Sequence, residues 1–370
     1  MRVTIPQPEL AAATRWAARQ IPAKPSQPVL LGARLEAADG RLRISVWDGG
    51  NAAHATLDAD VETDGVVIPS GQMLANVVAN LTKTEVTLDG DHDLTVTTPS
   101  AEFRIPGINP HDYPTLPKLP ETLGKVDGDE FAAAYQRVHR AISPKAVGQF
   151  AGMAGIRLKV LAGMLKLSAT DRFRIASAWL PWDGDFETEV MGVVPGKVMA
   201  DNAKVFGGDL KITLPSDGNG SLALTCGGNA VTSLLIDPTV FPHKVDSQVP
   251  NEFTGHIHGS AADLTAAIHA AMTVSTGNLL WINARGDKVT LRAGRDASSK
   301  VTADAKYDGD HDEFELAINA GYLLDGLAPI AGDALISLTT RARPALVADA
   351  ADDTYQYVVV PIRDPEKAAA

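Results

Sequence analysis

The chain has 370 residues, 33 basic and 45 acidic, for a formal charge of −12. That length exceeds one hydrophobic core of roughly 250–300 residues and calls for two or three domains, while the acidic balance argues against holding nucleic acid by charge alone. The single cysteine, Cys226, excludes a disulfide framework and a multi-cysteine zinc site and favours a reducing, cytoplasmic setting, and no apolar run approaches the ~20 residues of a membrane span.

In chain order, Pro6, Pro8 and Glu9 interrupt the N-terminus where a secretory signal needs an unbroken apolar core. Helix is predicted over Glu9–Ile21, where Leu10, Ala13, Ala17 and Ile21 recur at helical spacing. A strand follows at Leu42–Trp47. Ile68-Pro69-Ser70-Gly71-Gln72-Met73 then opens a short amphipathic helix, Met73–Leu81, before strands at Glu85–Leu88 and Leu94–Thr98. The proline-rich stretch 110–120 reads as an extended linker, because proline lacks the amide donor and fixes φ. The order then repeats. A helix over Asp129–Ile142 carries Phe131, Tyr135, Val138 and Ile142, and a strand follows at Leu165–Ala169. Val194-Pro195-Gly196-Lys197-Val198-Met199 opens a helix over Val198–Phe206, with strands at Leu210–Leu214 and Leu222–Thr225 and a second proline joint at 241–250. The third pass has a helix over Ala261–Val274 and strands at Leu280–Ile282 and Val289–Ala293. Ile318-Asn319-Ala320-Gly321-Tyr322-Leu323 then opens a helix over Tyr322–Ile330, followed by strands at Ala334–Thr339 and Tyr355–Val360.

The three blocks begin at residues 68, 194 and 318, and Gly32-Ala33-Arg34-Leu35 is matched by Gly155-Ile156-Arg157-Leu158. The chain is therefore read as three tandem α+β units of about 125 residues, each helix, strands, helix, strands. We place them at 1–121, 122–250 and 251–370, the last ending in a short frayed tail.

Pro28-Val29-Leu30-Leu31-Gly32, Asp112-Tyr113-Pro114-Thr115-Leu116-Pro117, Ala169-Thr170-Asp171-Arg172-Phe173-Arg174-Ile175-Ala176, Phe241-Pro242 and Tyr357-Val358-Val359-Val360-Pro361-Ile362-Arg363 occur in this order on the threefold repeat. On these residues the chain resembles the bacterial DNA polymerase III beta subunit, the sliding clamp family, over nearly its whole length. The resemblance implies a head-to-tail homodimer whose six units close a ring around duplex DNA, helices inside and sheets outside. It implies a processivity factor, neither enzyme nor membrane protein and with no cofactor or metal, that tethers the replicative polymerase and is loaded by a clamp loader. The alternative reading is a repeat-built structural or scaffold protein with no DNA role. The resemblance also implies a dimer interface at Phe103, Ile105 and Met272. DNA-facing positions would be Arg15, Arg19, Lys24, Lys83, Arg137, Arg140, Lys145, Gln149, Lys197 and Lys204. Arg15 and Arg19 fall one turn apart on one helix face. Arg137 and Arg140 come late in their helix and acids early, which suits the helix dipole equally well. The resemblance further implies a pocket for a short apolar-and-acidic peptide of the polymerase or loader, built from Met153, Thr170, Arg172, Phe173, Arg174, Ile175, Pro242, Val245, Val360, Pro361, Ile362 and Arg363. In that pocket aliphatic walls would take a Leu or Phe, and Arg174 and Arg363 would stand at the rim. Many family members carry Gly-His where this chain has Arg172-Phe173, and end on a Leu soon after the arginine where this chain continues with Asp364-Pro365.

Other chemistry is weaker. His256-Ile257-His258 lacks a third ligand at metal spacing and reads as a strand edge. Asp89–Asp93 and Asp308–Asp312 lack the glycine and closing glutamate of a calcium loop and read as acidic turns. Asp48-Gly49-Gly50-Asn51 reads as a turn, no phosphate-loop lysine following it. Cys226 reads as a packed small hydrophobe. No nucleophile–base pair or paired carboxylates stand out.

Overall fold

The computed structural model describes residues 1–116, 122–184, 189–203, 205–215, 218–294 and 297–362. Among these residues the α-helices are α1 (Gln7–Gln20), α2 (Gly71–Ala79), α3 (Gly128–Val138), α4 (Gly196–Asn202), α5 (Ala261–Met272) and α6 (Ala320–Leu327). Each meets a predicted helix, with ends displaced by a few residues for local reasons. α1 begins ahead of Glu9 because Pro8 is tolerated in the first turn, where the amide has no partner to lose. α3 gives way to a 3-10 turn over His139–Ala141 instead of running to Ile142. The repeated sequence block works as an N-cap. The Ser70 hydroxyl accepts from the Met73 amide (3.4 Å) at α2, and the Asn319 side chain accepts from the Tyr322 amide (3.2 Å) at α6.

The chain forms two compact units. The first comprises Met1–Asp129, Asp183–Asp185 and Lys197–Leu235. Its five-stranded sheet runs Asp60–Thr63, Arg2–Pro6, Glu85–Asp89, Leu94–Thr98, Ala101–Ile105. Its nine-stranded sheet runs Asp183–Gly184, Gly124–Asp127, Asp209–Thr213, Ser221–Cys226, Asn229–Leu234, Asn51–Asp58, Arg41–Trp47, Arg34–Ala38, Gly65–Val67. Alternation sets the two faces of the longer sheet. Leu35, Leu42, Ile44, Val46 and Ala55 are buried, whereas Arg34, Glu36, Arg41 and Arg43 lie on the other face. Leu10, Ala13, Trp16 and Ala17 of α1 are buried, and Arg15 and Arg19 are exposed.

The second unit comprises Glu130–Trp182, Phe186–Gly196 and Ile236–Ala370. Its nine-stranded sheet runs Val190–Pro195, Gly155–Leu161, Met164–Thr170, Arg174–Pro181, Tyr355–Val359, Ala345–Asp349, Asp333–Leu338, Gly255–Ser260, Ala305–Gly309. A four-stranded sheet runs Ser299–Ala303, Lys288–Ala293, Leu279–Arg285, Phe314–Asn319. One sequence expectation is corrected here. His256 and His258 lie on an interior strand, Gly255–Ser260 being paired on both sides, and not on a strand edge.

Candidate functional site

In the second unit the strand Met164–Thr170 turns into Arg174–Pro181 through a tightly bonded corner. The Thr170 hydroxyl donates to the Arg174 carbonyl (2.7 Å), and one Asp171 carboxylate oxygen accepts from the amides of Phe173 (3.0 Å) and Arg174 (3.2 Å). Arg172 has a φ of +80°, in the left-handed region that non-glycine residues seldom occupy. Its guanidinium lies 4.7 Å from the Phe150 ring centroid. Beside this corner the joint is drawn in. The Phe241 backbone approaches Gly152 so closely that a Cβ there would lie 2.6 Å from it, which requires glycine. Asp246 bonds Arg157 (2.8 Å) and Lys166 (2.6 Å).

Corner, joint and terminal strand enclose a cavity of about 190 Å³. Its apolar walls are Met153, Ile175, Pro242, Val245, Pro344, Val358 and Val360, and Thr170, Arg172, Arg174, Lys244 and Gln248 complete it. Beneath lies a core of Ile175, Val193, Phe241, Val245, Leu346 and Val358. Of the expected pocket residues, the fold brings together Met153, Thr170, Arg172, Arg174, Ile175, Pro242, Val245 and Val360. Phe173 turns away to stack on Tyr322 at 6.3 Å. Pro361 and Ile362 do not line the cavity, the Ile362 amide being bonded to the Ala317 carbonyl (2.8 Å). Arg363 lies outside the described residues. Lys244, Gln248, Pro344 and Val358 were missed. Val358 was readable, because it shares a strand face with Val360 two residues on; Pro344 gave no signal.

Arg174 is not the free rim cation the sequence suggested. Its side chain is 10% exposed and bonds Asp171 (2.9 Å), Asp325 and the Tyr357 hydroxyl (3.4 Å), with the Tyr322 ring centroid at 4.5 Å. Burial works against its charge, but Tyr357, Asp325 and Asp171 outweigh it and raise the guanidinium pKa. The arginine thus braces the corner and has little charge left for a ligand.

The expected DNA-facing positions divide into two groups. Arg15, Arg19, Lys24, Lys83, Lys145 and Gln149 are exposed, and the five cations among them have no ion pair among the described residues. The others are engaged. Lys197 pairs with Asp201 (2.6 Å), Arg140 with Asp325 (3.4 Å), and the half-buried Arg137 with Asp352 (2.6 Å) and the Thr354 hydroxyl (2.7 Å). Lys204 lies outside the described residues. α6 carries no basic residue.

Phe103 is 40% exposed on Ala101–Ile105, an edge strand of the five-stranded sheet. Ile105 is 1% exposed and belongs to the core. Met272, half-buried, ends α5.

The remaining motifs are structural. The His256 and His258 rings lie 6.2 Å apart, and Nδ1 of His256 is 2.9 Å from the Ser337 hydroxyl. Asp93 accepts from the Gly107 amide (3.1 Å) and pairs with His92 and Arg104, contacts that hold its carboxyl well below the usual range. Asp48 accepts from the amides of Gly50 and Asn51, closing a turn. Cys226 is half-buried rather than packed away, and its thiol donates to the Gly207 carbonyl (2.6 Å). Among the described residues no cluster of three metal-ligating side chains occurs, and no helix is long and apolar enough to cross a membrane.

Comparison with known proteins agrees over nearly the whole chain. Residues 1–117, 125–243 and 246–363 match the N-terminal, central and C-terminal domains of the DNA polymerase III beta subunit. The beta sliding clamp of Streptomyces coelicolor is 31% identical, covering 98% of this chain and 99% of its own. That of Micrococcus luteus is also 31% identical, over 80% of this chain and 95% of its own. Among solved structures, the DNA polymerase III subunit beta of Pseudomonas aeruginosa has a TM-score of 0.90 at 21% identity, over 98% of this chain and all of that one. The sliding clamp of Bacillus subtilis has a TM-score of 0.88 at 19% identity, over 98% of this chain and 99% of that one. The chain therefore belongs to the DNA polymerase III beta subunit family, the beta sliding clamps of bacterial DNA replication.

Proposed function

We propose that two copies of this chain, each built of units 1–121, 122–250 and 251–370, close head to tail into a ring around duplex DNA. The ring serves the replicative polymerase without catalysis or cofactor, in the cytoplasm. The observation that carries this reading is the agreement of the clamp fold over 98% of the chain. Encirclement also reconciles a charge of −12 with a polyanionic track. A topologically held molecule needs only weak, sequence-independent attraction, which the exposed Arg15, Arg19, Lys24, Lys83 and Lys145 supply, with Gln149, Lys197, Arg137 and Arg140 as lesser contributors. Phe103, on an edge strand paired on one side only, and Met272 are the proposed contacts between copies.

The cavity between Ile175, Val245 and Val360 is the proposed seat for an apolar anchor from a polymerase or loader peptide. Tethering converts polymerase re-binding into an intramolecular event, which is the physical source of processivity. To test encirclement, the chain is loaded on a nicked circular plasmid by a bacterial clamp loader with ATP, and then the plasmid is cut. Co-elution with the circle and release on linearisation are expected; equal retention on both forms refutes it. For the pocket, Val360→Glu should abolish binding of a clamp-binding peptide and leave the solution mass unchanged. Undiminished binding puts the docking site elsewhere.

A further inference from the structure

A cleft of about 550 Å³ in the first unit plays no part in that reading. Its floor is the polar face of the nine-stranded sheet, with Arg34 and Glu36 from one strand, Arg43 and Ser45 from the next, and His54 from the third. The segment from Tyr113 to Leu116 walls it. A second cleft of about 490 Å³ shares Arg43 and His54 and reaches Arg41, Thr56 and Asp58.

The charges do not cancel. Arg34 pairs with Glu36, and Arg41 with Asp58 (3.4 Å). Arg43 stands opposite Glu36 in the strand register, yet has no ion pair among the described residues. Beside it His54 is 2% exposed, with Nδ1 2.9 Å from the Ser45 hydroxyl and Nε2 buried without a partner among the described residues. Tyr113 donates its hydroxyl to the Gly32 carbonyl (3.3 Å), and burial pushes that hydroxyl up to about 12. Burial, helped by the charges of Arg43 and Arg34, pulls the His54 imidazole down to about 4, leaving the ring neutral at neutral pH. A merely solvated surface arginine would account for Arg43. It would not account for a walled cleft with surplus positive charge over a buried, unsatisfied imidazole.

We propose that this cleft binds an oxyanion group of a small molecule, with the Arg43 guanidinium as its charge partner and His54 as the ring that registers its arrival. A guanidinium offers paired N–H donors to two oxygens at once, with the Ser45 hydroxyl on the cleft floor and the Thr56 hydroxyl in the adjoining cleft nearby. An anion on Arg43 favours the charged imidazole, and by reciprocity a charged imidazole tightens the anion.

The test follows the histidine ring protons of the full chain by NMR during titration with inorganic phosphate and, separately, acetate. His54→Gln assigns the His54 signal among the nine histidines. A saturable shift of that signal is expected, with the His54 pKa rising by about one unit at saturation, equivalent to about tenfold tighter binding to the charged ring. Arg43→Ala should weaken binding by about tenfold or more, Lys288→Ala, exposed in the second unit, should leave it unchanged, and Arg43→Gln substitutes if the alanine variant does not fold. Phosphate binding tighter than acetate by about tenfold assigns a phosphate group, and acetate binding at least as tight assigns a carboxylate. No saturable shift up to about 50 mM of either anion, or equal binding by Arg43→Ala, overturns the proposal.

Discussion

Asp246→Asn tests how the pocket wall is held. Asp246 takes Arg157 through both carboxylate oxygens (2.8 and 2.9 Å) and Lys166 through one (2.6 Å). The Arg157 side chain is 4% exposed, so losing the carboxylate strands a buried cation, a change that costs about 3–5 kcal/mol in a closed interior. Asp246 itself is 40% exposed, and water reaching the site reduces this to about 2 kcal/mol. That corresponds to a melting point about 4–8 °C lower. Pro242 and Val245 ride on the same joint, and re-ordering them on binding weakens peptide affinity by about threefold to tenfold. The pH dependence follows from the carboxyl. Burial pushes its pKa up, but Lys166 and Arg157 outweigh burial and hold it below the usual range. The contribution is therefore full above about pH 4 and disappears as pH falls through the lowered value, and Asp246→Asn lacks that acid step. Burial pulls Lys166 below the usual lysine range even against Asp246. The assays are thermal unfolding between pH 3 and pH 8, on the scale of ordinary carboxylate titration, and fluorescence polarisation with a labelled clamp-binding peptide. A melting point within about 1 °C of the parent, with unchanged peptide affinity, would mean that Phe241 and Val245 packing alone secures the joint.

Three further outcomes are expected. His54 is neutral when folded down to about pH 4, whereas an unfolded histidine takes its proton near 6.5; stability therefore falls by about 3 kcal/mol between those values, and His54→Gln should flatten that limb in denaturant titrations at pH 7 and pH 4. Ala162 and Gly163 form a two-residue hairpin turn with φ of +51° and +75°, which suits Asn-Gly; Ala162→Asn should add about 0.5–1 kcal/mol, read as a melting point higher by about 1–3 °C. Phe103→Asp places a charge at the proposed contact between copies, so light scattering should fall from twice 38.9 kDa to 38.9 kDa, and an unchanged mass would move the interface elsewhere.

Helices were legible because local chemistry decides them. Heptad-like spacing marks Leu10, Ala13 and Ala17, and the recurring block before α2 and α6 supplies caps at Ser70 and Asn319. Pocket positions near the corner came from the family resemblance carried by residues 169–176; by local pattern alone that run reads only as a strand and its turn, and Phe173 within it does not line the cavity. What failed depended on partners remote in sequence. Nothing local announces that Arg174 meets Asp325, that Arg137 meets Asp352, or that Phe173 finds Tyr322. Pro344 reaches the cavity only through the chain's return, and His256 gained its second neighbouring strand the same way. The cleft at Arg43 was invisible for a related reason, since alternating polar residues on a strand read alike whether they face open water or a walled hollow.

The longest sheets join stretches far apart in sequence. In the first unit Asn229–Ser233 ladder onto Asn51–Ala55, and in the second Arg174–Ala178 ladder onto Tyr355–Val359. Each seam is five residue pairs of main-chain bonding, and shearing it would strand amides and carbonyls in a dry interior. Such seams do not hinge. In the proposed ring, neither ladder is then where the assembly parts to admit a duplex, and mutations that ease loading belong away from both.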